Sequence, residues 1–312
     1  MMPSFLCILA LLVSVFFYNS VMTNNVLIAA ALNEHARIYL LDSKDIVEKA
    51  REYHDLWPTS CAALGRTLAV TALMGLMQKE EGETVTVTIN GGGPIGTVLC
   101  VGDSDGRVKG FCGDPHIYQK YDGTNKLAVG LAVGTDGYLK VTRNLKLKQN
   151  YTSQVKLQSG EIGDDFAYFF LISEQVPTIV SVGVLVDTDC SVRSSGAMII
   201  ELLPGHSEGD IEYLESLKLE PISSVLAKDP DLHKYLFRLF PDAKILEEKT
   251  AEYRCGCSRE RFMANLLTLP KKDLEELSEE DHLDIRCEFC NKNYRFNKED
   301  IQTVMSYVPY KR

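Results

Sequence analysis

Four cysteines near the carboxyl end constrain this chain more than any other feature. They form two tight pairs, Cys255-x-Cys257 and Cys287-x-x-Cys290, with residues 258–286 between them. A short spacer lets two sulfurs reach one ion, and Zn²⁺ prefers four thiolates in tetrahedral geometry. The set Cys255, Cys257, Cys287 and Cys290 therefore predicts one zinc ion per chain. No histidine is needed to complete it, so the site is expected to be closed, without the open position that a catalytic zinc keeps. Arg254, Arg259 and Arg261 flank the first pair, and Arg286, Lys292 and Arg295 the second. These cations favour thiolates, and thiolate is also the form that oxidants attack. On the cysteines alone a structural zinc ribbon and a redox-sensitive clip both stand, the ribbon being the commoner use. In either case the module loses its folding energy when it loses the metal.

The other five of the nine cysteines are scattered: Cys7, Cys61, Cys100, Cys112 and Cys190. Cys61, Cys100, Cys112 and Cys190 sit in segments read as apolar helix or strand, where buried and inert thiols are expected. Apolar residues make up 45% of the 312-residue chain and charged residues 24%, a globular balance. The net charge of −10 argues against a phosphate backbone as partner, because that affinity needs clustered Lys and Arg.

Phe5–Tyr18 is an apolar run broken only by Ser14. It is shorter than the roughly 20 residues that span a bilayer, and no membrane partner is expected. Its length suits a signal h-region, but no Lys or Arg precedes it and no small-x-small cleavage site follows. Residues 1–21 are read as an apolar leader or a misassigned start, with translation beginning at Met22. A reversible cysteine switch needs a reducing compartment, so a cytoplasmic location is expected.

The body, residues 22–205, reads as α+β, with helices interrupting runs of hairpin-joined strands. Arg37–Leu41 reads as a strand, Asp42-Ser43 as a helix start, and Pro58 as the opening of a second, well-buried helix. Glu83–Ile89 alternates with period two. The glycine run Gly91–Gly96 matches G-x-G-x-x-G, but a strand follows where a dinucleotide site needs a helix, so it is read as a turn. Asp105-Gly106 and Asp136-Gly137 read as hairpin signals. Ser159–Ser173 reads as an amphipathic helix with Ile162, Phe166, Phe169, Phe170 and Ile172 on its apolar face. Thr178–Val186 reads as a buried strand and Ala197–Leu203 as its neighbour. His35, His54 and His116 are isolated, and the adjacent Asp164 and Asp165 do not make an acid–base pair. No catalytic set is expected.

Residues 206–254 read as short helices punctuated by Pro221, Pro230 and Pro241. Short helices are marginal alone. The segment is either a linker packed on the body or a metastable element that holds only while docked. Residues 255–312 read as a zinc-binding domain, and its role as a redox-switch domain is what the family resemblance given next implies.

Separated blocks of this sequence resemble the redox-regulated 33 kDa chaperonin (heat-shock protein 33) family. They are Asn90–Gly96 with Gly106–Phe111, Ser159–Ile162 with Ser173–Pro177, Leu203-Pro204-Gly205, and Cys255-Gly256-Cys257-Ser258 with Cys287-Glu288-Phe289-Cys290. The match runs over about residues 22–312. Gly92 and Ser195-Gly196-Ala197 depart from the family's usual residues without touching the cysteines. The resemblance implies an ATP-independent holdase rather than an enzyme. It implies a reduced, zinc-bound form that is inactive, and an oxidised form with disulfides Cys255–Cys257 and Cys287–Cys290. On that pattern zinc leaves, the module and its linker unfold, and unfolding client proteins are bound, often by a homodimer. Two rivals remain: a thiol–disulfide oxidoreductase using Cys287-x-x-Cys290, which would want a βαβ context, and a zinc-ribbon binding module for nucleic acid.

Overall fold

The computed structural model describes residues 24–307. The apolar run Phe5–Tyr18 and the start at Met22 lie outside the described residues.

A hairpin opens the body, β1 (Val26–Ala31) and β2 (Ala36–Asp42). Its turn is built from Leu32, Asn33 and Glu34, all at positive φ. Helix α1 (Lys44–His54) starts after Ser43 with Asp45 in its first turn, where a carboxylate complements the helix dipole. Helix α2 (Pro58–Leu76) carries proline at its first position, where the missing N–H costs nothing. Strands β3 (Thr84–Asn90), β4 (Val98–Asp103) and β5 (Arg107–Cys112) then form an antiparallel meander. Helix α3 (Val129–Val133), β6 (Tyr138–Asn144) and β7 (Tyr151–Lys156) follow. Helix α4 (Gly163–Phe169), which runs on into a wider turn over Phe170–Glu174, leads to β8 (Thr178–Val186) and β9 (Val192–Leu202).

The sheets are mixed with helices in the α+β manner expected. One sheet has the order β1-β2-β9-β8 in the body; the other has β5-β4-β3-β6-β7. Between them lies α2, whose only charge is Arg66. It is apolar and long enough to cross a membrane, yet 94% of its most apolar stretch is buried inside the protein. The helix can lie this close to β4 because glycines meet there. A Cβ on Gly75 would sit 2.6 Å from the Asp103 carbonyl oxygen, and one on Gly102 would sit 2.5 Å from that of Thr71. Only glycine allows such an approach.

The glycine run between β3 and β4 is the turn that the missing helix implies. Its donors are already engaged: Gly93 N–H bonds the Val133 carbonyl (2.9 Å) and Ile95 N–H that of Ala132 (3.0 Å). The amides a phosphate would need are therefore satisfied by α3. Asp105-Gly106 is the β4–β5 turn, with Gly106 at φ +81°.

Several expectations need correction. Asp136-Gly137 does not join paired strands; it leads from α3 into β6, which pairs with β3. Residues 159–162 are not helical. They form a cap in which the buried Asp165 carboxylate accepts from the Gln158, Ser159 and Ile162 N–H groups (2.6, 3.1 and 3.0 Å). Ile172, read as core, is 52% exposed beside Leu171. Strand β8 is half-buried because it is an edge strand.

The segment 206–254 is more than a run of helices. It contains α5 (Glu208–Ser216), α6 (Ile222–Lys228) and α7 (Leu232–Leu239), then β10 (Lys244–Lys249) and β11 (Glu252–Tyr253). Strand β10 joins the first sheet beside β1, and β11 joins the second beside β5. Leu214, Ile222, Val225, Leu232, Leu236 and Phe240 pack on the outer face of the first sheet, against Leu27, Ala29, Ile38, Leu40, Met198 and Ile200. That face is apolar and is covered by helices of nine, seven and eight residues. Helices this short gain most of their stability from docking.

A third, separate core lies in the carboxyl-terminal module. It comprises α8 (Arg259–Leu266), α9 (Lys271–Glu279), the hairpin β12 (His282–Arg286) and β13 (Asn293–Asn297), and α10 (Lys298–Tyr307). Among the described residues its buried side chains are few: Leu266, Leu274, Cys287, Tyr294, Phe296, Ile301 and Val304. So small a core rarely folds without a metal or a covalent staple.

Candidate metal centre

The four predicted ligands come from two turns. Cys255 and Cys257 follow β11 and precede α8, whose Ser258 side chain caps the helix by accepting from Arg261 N–H (3.2 Å). Cys287 and Cys290 sit on the tight turn between β12 and β13, where Asn291 takes φ +57°. All four sulfurs lie within 4.8 Å of one another. Cys255 and Cys287 are 3.7 Å apart, and Cys257 and Cys290 are 3.4 Å apart. Four thiolates around an ion at the zinc–sulfur length of about 2.3 Å would form a tetrahedron with edges of about 3.8 Å. The donor set therefore fits a closed four-thiolate metal ion. Both of these separations run between the turns.

The thiols do not share one environment. Burial would push the Cys257 thiol up, but hydrogen bonding with the Tyr294 hydroxyl (3.2 Å) and the neighbouring thiols outweighs it and brings it to about 7. Burial pushes Cys290 up to about 11 and Cys255 above the ordinary thiol range. A metal must displace the protons these sulfurs hold, so its affinity falls as the pH drops. Tyr294→Phe removes the hydroxyl that orients Cys257 and is expected to weaken metal affinity about 10–100-fold. Competition with a chelating dye reads this, and an unchanged affinity would show that the tyrosine is a bystander.

The flanking cations are less available than the sequence implies. Arg254 pairs with Glu252 (3.2 Å), Arg259 with Asp300 (2.5 Å) and Arg295 with Asp284 (2.8 Å). Lys292 lies over the Tyr294 ring. Arg261 and Arg286 do line the cavity beside the thiols, and they are joined there by Lys109 of β5. Neither Lys109 nor Tyr294 was legible as part of the site. Lys109 is remote in sequence, and Tyr294 shows only as one apolar position of a short alternating strand.

The second cysteine turn also touches the body. Phe289, inside the Cys287–Cys290 turn, packs edge-on against Phe111, with Lys109 over its ring at 4.5 Å. Its carbonyl oxygen accepts from the Tyr253 hydroxyl, which also reaches the Gly110 carbonyl (2.9 Å). Tyr253 is 2% exposed and meets Tyr53 edge-to-face. Asn291 donates its side-chain amide to the Tyr53 carbonyl. The cysteine turn, β11 and the end of α1 therefore form one joint.

The remaining described cysteines stand apart. Cys61, Cys100 and Cys112 are buried, and burial pushes Cys61 and Cys112 up to about 12 and Cys100 well above the ordinary thiol range. Cys190 departs from the reading that grouped it with them: it sits half-buried in the turn after β8, at φ +68°. His35 pairs with Asp210 (2.9 Å), His54 faces Tyr253 (3.4 Å) and His116 faces Asp55 (3.3 Å), so the three do not converge.

Comparison with known proteins accounts for this combination. The family profile described as "Hsp33 protein" matches residues 24–297. The chain belongs to the Hsp33 family. Among its relatives are the 33 kDa chaperonins of Alkaliphilus metalliredigens (40% identical, covering 91% of this chain and 99% of that protein) and Clostridium perfringens strain 13 (41%, 91% and 91%). The crystal structure of the 33 kDa chaperonin from Thermotoga maritima superposes with a TM-score of 0.82 at 31% identity, covering 91% of this chain and 98% of that one. Among the described residues Cys287 and Cys290 sit between the antiparallel strands β12 and β13, not in the βαβ context that a thiol–disulfide oxidoreductase would want.

Proposed function

We propose that this Hsp33-family chain is a redox-regulated, ATP-independent holdase whose switch is a zinc ion held by Cys255, Cys257, Cys287 and Cys290. The observation that carries the reading is the convergence of four sulfurs on a joint that also anchors the strand leading out of the covering helices. When bound, zinc supplies folding free energy to a module whose own core is small. Tyr253 and Phe289 transmit that stability to the body, and β10 and β11 continue it into α5–α7.

Oxidation undoes the arrangement. Forming each disulfide releases two electrons from a pair of thiolates, and a peroxide accepts them with two protons to become two waters. The sulfurs emerge neutral and no longer hold a cation. The disulfides are Cys255–Cys257 and Cys287–Cys290. Bonds within each turn leave the two turns free to separate, whereas bonds across the 3.4 and 3.7 Å gaps would staple the module shut. With the joint open, α5–α7 lose their anchor, and the apolar face of the first sheet becomes available to unfolding proteins. The role is non-enzymatic, exercised in a reducing cytoplasm, with a homodimer as the oxidised form.

The test is to treat the reduced, zinc-loaded chain with peroxide under mildly unfolding conditions. About one zinc per chain should leave, as for a single four-cysteine site. Peptide mapping should find both disulfides within the turns, and the product should suppress aggregation of a denatured client. Zinc release without holding activity would contradict the function; cross-turn disulfides would contradict the mechanism.

A further inference from the structure

A polar cleft of about 390 Å³ lies where the body meets the first cysteine turn, lined by Thr84, Val101, Gly102, Asp103, Arg107, Lys109, Arg254, Gly256 and Arg261. Four of these residues are cations and one is a carboxylate. In a chain of net charge −10 this is a marked local reversal of sign. Arg107 and Lys109 belong to β5 of the body. Arg254 and Arg261 bracket the cysteine turn, one just before it and one in the first turns of α8. Among the described residues Lys109 and Arg261 have no carboxylate partner: Lys109 rests on the Phe289 ring and Arg261 donates to the Gly256 carbonyl (3.2 Å). Arg107 is shared between Asp105 (3.1 Å) and Asp103 (3.9 Å), and Arg254 pairs with Glu252 at the rim.

Guanidinium groups with donors to spare bind phosphate oxygens in forked pairs. The cleft's cations come from β5 and from the residues that bracket the cysteine turn, so a ligand with charge at both ends can engage the two sets together. Its volume is at the small end for ligand sites, which favours a compact anion. We propose that this cleft binds a pyrophosphate-type anion, free or as part of a nucleotide, which bridges β5 to the cysteine turn and so holds the module docked. The binding site stands on the cleft alone; its regulatory effect rests on the undocking mechanism proposed above.

Because the anion contacts both β5 and the cysteine turn only while they are together, it stabilises the docked state by mass action. At ten times its dissociation constant it should lower the undocked fraction about 11-fold. The effect should fade with salt, since the contacts are exposed ion pairs.

The experiment titrates the zinc-loaded, reduced full chain with pyrophosphate, followed by ³¹P resonance shifts, with ATP and sulfate in parallel. Pyrophosphate should bind, sulfate more weakly, and ATP as well as pyrophosphate only if the cleft takes the polyphosphate as part of a nucleotide. Arg107→Gln with Arg261→Gln should weaken binding at least tenfold. Asp103→Asn keeps an oxygen for the turn amides it caps and should tighten binding, an outcome that a damaged fold cannot mimic. Equal affinity in all these variants, or no pyrophosphate binding, would overturn the site. Because pyrophosphate also sequesters zinc, docking is read from amide exchange in β12 and β13 rather than from zinc release. Binding without slower exchange would overturn the regulatory part and leave the site. Failure of the oxidised chain to hold clients when no anion is present would count against the holdase reading and not against the cleft.

Discussion

Cys287→Ser in the reduced chain is expected to unfold the carboxyl-terminal module and leave the body folded. The serine hydroxyl does not replace a thiolate on zinc, and structural zinc in small modules contributes on the order of 10–16 kcal/mol of folding free energy. Among the described residues the module has seven buried side chains to set against that loss, and Cys287 is one of them. Amide protection should vanish from β12 and β13 and persist in β3 and β4. Zinc should no longer co-purify with the chain. The joint formed by Phe289 and Tyr253 should open with the module, so the variant should hold clients without peroxide. A Cys287→Ser chain that keeps its zinc and its protected hairpin would mean that the metal is not what folds the module.

The second large effect separates the covering helices from the metal. Leu236 of α7 is fully buried, in the cluster with Ile38, Leu40 and Ile200. Truncating a buried leucine to alanine costs about 2–5 kcal/mol. Leu236→Asp adds the desolvation of a carboxylate with no partner, several kcal/mol more. Three short helices have little intrinsic stability to oppose this. In the reduced variant α5–α7 should lose amide protection while about one zinc per chain stays bound, as a closed four-cysteine site holds. Client holding should then appear without oxidant. If Leu236→Asp still needs peroxide to suppress aggregation, the covered sheet face is not the client surface.

The cysteine tetrad was legible because its spacing alone carries the chemistry: two short turns, four thiolates, one ion. The long helix at Pro58, the alternation at Thr84–Ile89 and the glycine turn were legible because each obeys a local rule. The segments that escaped are those whose role is set by distant partners. Strand β10, Lys244-Ile245-Leu246-Glu247-Glu248-Lys249, is charged and largely exposed, so nothing in its own pattern announces that it extends a sheet. Strand β8 is apolar enough to read as buried but lies half-buried at an edge. Strand β7 has one buried residue, Val155, and so leaves almost no periodic signal. Within the site, the residues that tie the thiols to the body are Tyr253, Phe111 and Lys109. They meet only because β11 aligns with β5, a pairing of two residues that no sequence pattern encodes.

The central claim is that oxidation of the four thiols opens the carboxyl-terminal third and spares the body. Amide hydrogen exchange on the full zinc-loaded chain, before and after peroxide, measures this directly. The account predicts that protection is lost across α5–α7, β10 and the module from Cys255 onward. It should be retained in α2, β3, β4 and β9. Protection that stays in α5–α7 while the oxidised chain holds clients, or that is lost throughout the body at once, would contradict the account.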